Sequence, residues 1–89
     1  LFTRKKPRYK IGTLLRLKNA WPGREQIMVV DYFLKVERSR LYGEPIIEDK
    51  YWVYSLMYLG DGGKKVPQTA LWLEEMIENK KIEVVAAPN

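Results

Sequence analysis

A small, mainly β domain with one helix is what this sequence predicts. Three observations carry that expectation. Short runs of β-branched and aromatic residues recur at close spacing. Gly- and Pro-containing turn signals separate them. One stretch alone, TALWLEEMIEN at 69–79, has helical periodicity. The expected order is β-β-β-β-α-β, and several short strands in 89 residues favour a small closed or half-open barrel, which protects edges that would otherwise invite aggregation.

Each element follows from local chemistry. Residues 1–10, LFTRKKPRYK, lack periodicity and contain Pro7, which predicts an extended basic arm. Folded structure is expected from Ile11 to Val85, with 86–89 as a tail. Residues 13–18 read as a strand with Leu15 and Leu17 inward and Arg16 and Lys18 outward. Pro22-Gly23 in the following loop favours a type II turn.

Residues 26–36, QIMVVDYFLKV, are too rich in β-branched and aromatic side chains for a helix. Plain alternation places Met28, Val30, Tyr32, Leu34 and Val36 on one face. Ile27, Val29, Asp31, Phe33 and Lys35 take the other. Because both faces are partly apolar, a bulge or bend near Asp31 is expected. Residues 37–50 read as a long hairpin connection, with Ile46 and Ile47 packed back on the body or at the tip of a projecting ribbon.

Residues 51–58, YWVYSLMY, form a third strand, and Gly60–Gly63 a tight turn. Lys64–Val66 is a short fourth strand that Pro67 should close. Thr69 is the expected N-cap of the helix, whose buried stripe is Trp72, Leu73, Met76 and Ile77. Residues 82–85 complete the domain. Trp52, Tyr54 and Trp72 are assigned to the core, since a domain this small needs large side chains to fill it.

Charge is segregated along the chain. Arg4, Lys5, Lys6, Arg8, Lys10, Arg16 and Lys18 give the first nineteen residues +7 with no acid. The other seventy hold nine Lys or Arg against eleven Asp or Glu, which leaves the net +5. Such asymmetry points to a polyanionic partner or to an arm docked on an acidic protein surface. Arg24 extends the basic set, while Tyr9 and Trp21 are aromatics placed to stack on bases. These ten residues are the candidate nucleic-acid contacts. A solvated tail is the plain alternative for the arm, and core packing the plain alternative for the aromatics. Tyr42, Ile46 and Ile47 are the candidate contacts of a protein-interaction surface.

The chain has no Cys and no His. That removes thiolate chemistry, Ser-His and Cys-His pairings, and the commonest zinc ligands. No catalytic residue, metal site or cofactor is assigned, and a non-enzymatic role is expected. The Gly60–Gly63 loop with Lys64 and Lys65 lacks phosphate-loop spacing and reads as a hairpin turn. Glu48-Asp49 lacks the third carboxylate of a calcium loop and reads as solvated charge. No apolar run approaches the roughly 20 residues of a membrane span, and no signal-type stretch follows the basic start. A cytoplasmic setting, in a host cell or a virion, fits these features. The chain begins with Leu, as a processed chain or a piece of a longer one would.

The stretch Tyr9-Lys10-Ile11-Gly12-Thr13-Leu14-Leu15-Arg16-Leu17-Lys18 resembles the opening of SH3-like small barrels, in the broad sense that includes KOW and Tudor-type modules. Ile27-Met28-Val29-Val30-Asp31-Tyr32 resembles their second strand and 51–58 their third. Leu73 through Val85 resembles their helical turn and closing strand. The layout, over roughly 9–85, is similar to that of small bacteriophage proteins. The helix and the 37–50 connection are both longer than is usual in such barrels. The resemblance implies a binding module, for nucleic acid of DNA or RNA type with low sequence specificity or for protein, and is compatible with an oligomer.

Overall fold

A change of phase in the second strand decides which residues fill the interior. The computed structural model describes residues 6–39, 43 and 46–88. Strands β1 (Leu14–Leu17), β2 (Gln26–Ser39), β3 (Ile47–Tyr58) and β4 (Lys64–Thr69) precede helix α1 (Ala70–Glu78), and β5 (Ile82–Ala86) follows it. In the β2–β3 ladder Val29 faces Leu56 but Asp31 faces Ser55, so Val30 is the extra residue of a bulge. Buried Ile27 and Val29 precede it. Beyond it Tyr32, opposite Tyr54, returns to the same face. The bend expected near Asp31 is present, and its effect corrects the plain alternation: the inner set is Ile27 and Val29 followed by Tyr32, Leu34 and Val36.

The sheet is antiparallel throughout, in the order β4-β3-β2-β1-β5. The domain is thus mainly β with one helix, as expected. β4 and β5 stand at the two edges with no ladder between them among the described residues, so the sheet is open. Helix α1 touches both edge strands and β3. Leu15, Ile27, Val29, Tyr54, Leu56, Ala70, Leu73 and Ile82 form the buried cluster between helix and sheet. Of the aromatics assigned to the core, Tyr54 is fully buried. Trp52 and Trp72 are half-buried and pack on the cluster from its rim.

Local signals set the helix ends. The Thr69 hydroxyl accepts the Trp72 N–H at 3.1 Å, as its N-cap role requires. At the other end the Lys81 N–H donates to the Met76 carbonyl and the Lys80 N–H to that of Ile77. This is a Schellman motif with Lys80, at φ 61°, in the position that usually holds glycine.

Two strand boundaries differ from expectation. β4 runs through Pro67 to Thr69. An edge strand tolerates proline because one side of its backbone needs no ladder partner. β2 and β3 also extend beyond the body, pairing as far as Ser39 with Ile47. Half of the connection expected over 37–50, residues 37–39 and 47–50, is therefore two-stranded ribbon. It gives the molecule a long axis of 49 Å and a radius of gyration of 15.2 Å, where a compact chain of this length has about 12 Å.

Candidate nucleic-acid interface

The basic N-terminal stretch is stitched to the sheet from Tyr9 onward. The Tyr9 N–H donates to the Tyr54 hydroxyl at 3.1 Å, and the two rings lie 6.5 Å apart. Burial is the largest influence on the Tyr54 phenol and pushes it above its ordinary pKa. The Lys10 carbonyl accepts from the Thr13 N–H at 3.1 Å and from the Thr13 hydroxyl at 2.7 Å. Gly12, at φ 96°, donates its N–H to the Val29 carbonyl at 2.7 Å, and Val29 returns a bond to Thr13. The expected boundary at Ile11 is thus too late. Tyr9, half-buried against Tyr54, has its ring engaged by the fold rather than free to stack on a base.

Lys6, Arg8 and Lys10 are exposed on this anchored stretch. Arg4 and Lys5 lie outside the described residues. Arg16 and Lys18 are exposed two residues apart on β1 and its turn, which puts both on the outer face of the sheet. Lys18 donates its N–H to the Lys81 carbonyl at 3.0 Å. That bond brings Lys18 beside the Lys80-Lys81 turn and makes a three-lysine group. Lys80 and Lys81 are not among the contacts that the sequence predicts. Their nearness to Lys18 depends on the β1–β5 pairing, and residues sixty positions apart carry no local signal for it.

The candidate cations differ in how far the fold compensates them. Among the described residues no carboxylate forms an ion pair with Lys6, Arg8, Lys10 or Lys18. Arg24 is held by Asp61 at 3.0 Å, with its guanidinium 5.7 Å from the Tyr58 ring centroid. Arg24 therefore acts as a brace and departs from its expected role as a phosphate contact. Arg16 faces Glu83 across the β1–β5 ladder and shares a groove of about 610 Å³ with Glu25, Lys18 and Pro22. Among the described residues neither Arg16 nor Lys18 forms an ion pair with these carboxylates.

Trp21 is the most exposed large apolar side chain among the described residues, at 80%. It opens the type II turn expected at Pro22-Gly23: Gly23 has φ 87°, and the Arg24 N–H donates to the Trp21 carbonyl at 2.9 Å.

The ribbon has a different chemistry. Tyr32, Phe33, Leu34 and Val36 are exposed along it, and Ile46 is exposed at its tip. The side chain of Ile47 and all of Tyr42 lie outside the described residues. Five charged residues of the ribbon are paired among themselves. Glu48 accepts from Arg38 at 3.0 Å and meets Lys50 at 3.4 Å. Glu37 accepts the Tyr51 hydroxyl at 2.7 Å and meets Lys35 at 3.5 Å. These contacts hold both carboxyls below the usual range. For Glu37 the Tyr51 hydroxyl contributes most; for Glu48 it is Lys50, then Arg38. Glu48, expected as a solvated loop charge, is therefore the centre of an ion-pair triad.

Among the described residues no group of three His, Cys, Asp or Glu side chains could hold a metal ion. No helix there is long and apolar enough to cross a membrane. No family model, curated protein or solved structure matches the chain.

Proposed function

We propose that this chain is a non-enzymatic binding module of the SH3-like barrel type that engages nucleic acid with low sequence specificity. The barrel reading draws on the strand order and on a helix that touches both sheet edges. One observation carries the functional reading: among the described residues Lys6, Arg8, Lys10 and Lys18 form no ion pair, while Lys35, Arg38 and Lys50 are each paired to a carboxylate within the ribbon. Uncompensated Lys and Arg on an anchored backbone keep their attraction for phosphate, and each phosphate neutralised releases condensed counterions. Lys6, Arg8, Lys10 and Lys18 supply most of the affinity, with Arg4 and Lys5 preceding them in the chain. No base-edge reader is needed, because phosphate contacts carry no sequence information.

Fluorescence polarisation with labelled single- and double-stranded DNA and RNA, over a range of salt, tests this. For a duplex each phosphate contact adds about 0.9 to the slope of log K against log salt. Replacing Lys6, Arg8, Lys10 and Lys18 together by Ala should flatten that slope by about 3.6 on this scale and weaken all sequences alike. An unchanged slope rejects the reading.

A second reading, a protein-interaction module, is favoured by the ribbon. Its exposed Tyr32, Leu34 and Val36, beside half-buried Trp52, form an apolar face whose neighbouring charges are already paired. In that case the basic stretch anchors to an acidic protein neighbour. Polyglutamate that displaces a bound oligonucleotide at equal charge concentration, together with oligonucleotide affinity insensitive to strand type, would favour this second reading.

A further inference from the structure

We infer that the partner is taken as a single strand, with an unstacked base laid on the face of Trp21. This rests on the nucleic-acid reading above and names the form that the site accepts.

The inference begins with how the indole is held. Pro22 fixes one backbone angle of its turn and Gly23 supplies the positive φ that closes it. The base of the loop is tied by the Leu17 N–H donating to the Glu25 carbonyl at 2.7 Å. The turn is then clamped against a second one. Gly60 lies so close to Gly23 that a Cβ on it would collide with the Gly23 carbonyl oxygen. Arg24 bridges to Asp61 at 3.0 Å beside this contact. Trp21 is therefore a large aromatic surface on a braced support, where little ordering remains to be done on binding. It contributes nothing to the buried cluster.

The surroundings select the ligand. Lys18 lies three residues from Trp21, beside Lys81, with no acidic partner. Arg16 continues the line along the groove, whose walls include Leu17, Ala20 and Pro22. An unpaired lysine three residues from one exposed indole matches a phosphate next to a base. A duplex hides its base faces in the stack and offers the indole nothing. A single strand offers both groups, and stacking tolerates every base. Glu25 and Glu83 line the same groove and repel a second phosphate, so the strand crosses the groove and does not fill it.

The test uses the full chain with a labelled 12-nucleotide oligo-dT, the matching RNA and a duplex of equal length. Trp21→Ala should lose roughly 5- to 100-fold in single-strand affinity, the range for one stacked base. Its salt slope and duplex affinity should stay as in the wild type. Trp21→Phe should recover most of the loss. Because the indole is exposed, both variants should melt near the wild-type temperature. Unchanged single-strand affinity in Trp21→Ala overturns the inference, and so does an equal loss on duplex and single strand. Either result leaves the phosphate role of Lys6, Arg8, Lys10 and Lys18 standing. Failure of the wild type to bind any of the three ligands removes both readings together.

Discussion

The N-terminal stretch and the β2–β3 ribbon both leave the core from Tyr54, in opposite electrostatic states. Tyr9 donates its N–H to the Tyr54 hydroxyl, and on either side of it Lys6, Arg8 and Lys10 form no ion pair among the described residues. Tyr32 meets the Tyr54 ring edge-on at 6.4 Å, and beyond it Lys35, Arg38 and Lys50 are paired with Glu37 and Glu48. The two regions hold similar numbers of cations, and the difference is whether the fold provides acids beside them. A count of Lys and Arg cannot distinguish an electrostatic site from a solubilised surface; the location of the compensating carboxylates can.

The largest expected effect tests whether both regions depend on one core. Leu73→Ala should cost about 2–5 kcal/mol, as for other fully buried leucines, read from denaturant unfolding. Leu34→Ala on the ribbon, where Leu34 is 44% exposed, should cost less than about 1 kcal/mol. Equal costs would mean that the ribbon is covered and the contrast is false. Next is Gly60→Ala. The added methyl meets the Gly23 backbone, and overpacking of that kind costs about 1–3 kcal/mol. Hydrogen exchange should speed up at 20–25 and stay unchanged at 34–38. Tyr54→Phe should cost about 1 kcal/mol by taking the acceptor from the Tyr9 N–H, and that amide should lose its protection first.

The smallest effect separates the regions by pH. Glu37 and Glu48 have their pKa values lowered in the folded state. Their contribution is therefore present above the ordinary carboxylate range and lost as pH falls through the lowered values. Between neutrality and about pH 3, protection of the ribbon amides, taken relative to intrinsic exchange at each pH, should fall. The stretch around Lys6, Arg8 and Lys10 should be indifferent, since these residues have no carboxylate partner to lose among the described residues. A change of equal size in both regions would break the distinction.

Much of the fold was legible because it rests on local signals. Thr69, the Pro22-Gly23 turn and the stripe of Trp72, Leu73, Met76 and Ile77 each settle a conformation within a few residues. The faces of β2 were not legible. A bulge reverses the alternation at one position, and sequence says only that the pattern is inconsistent near Asp31. The ribbon was half legible: Gly43, at φ 74°, marks its turn, but strand pairing overrides the weak propensity of the charged residues on either side. At the candidate site, the cations of the N-terminal stretch were readable from charge alone. The bracing role of Arg24 and the docking of Tyr9 depend on Asp61 and Tyr54, which only the tertiary fold brings close. Lys80 and Lys81 join Lys18 for the same reason.

The bulge at Val30 has a consequence for how this molecule can change. It sets the phase of the inner face before the strands leave the body, so the outer segment can be lengthened without repacking the interior. Two residues added to each strand beyond Leu34 and Trp52 would extend the reach by about 7 Å and keep every side chain on its side. A single added residue would turn the outer segment inside out. The protrusion is in this sense a ruler graduated in pairs.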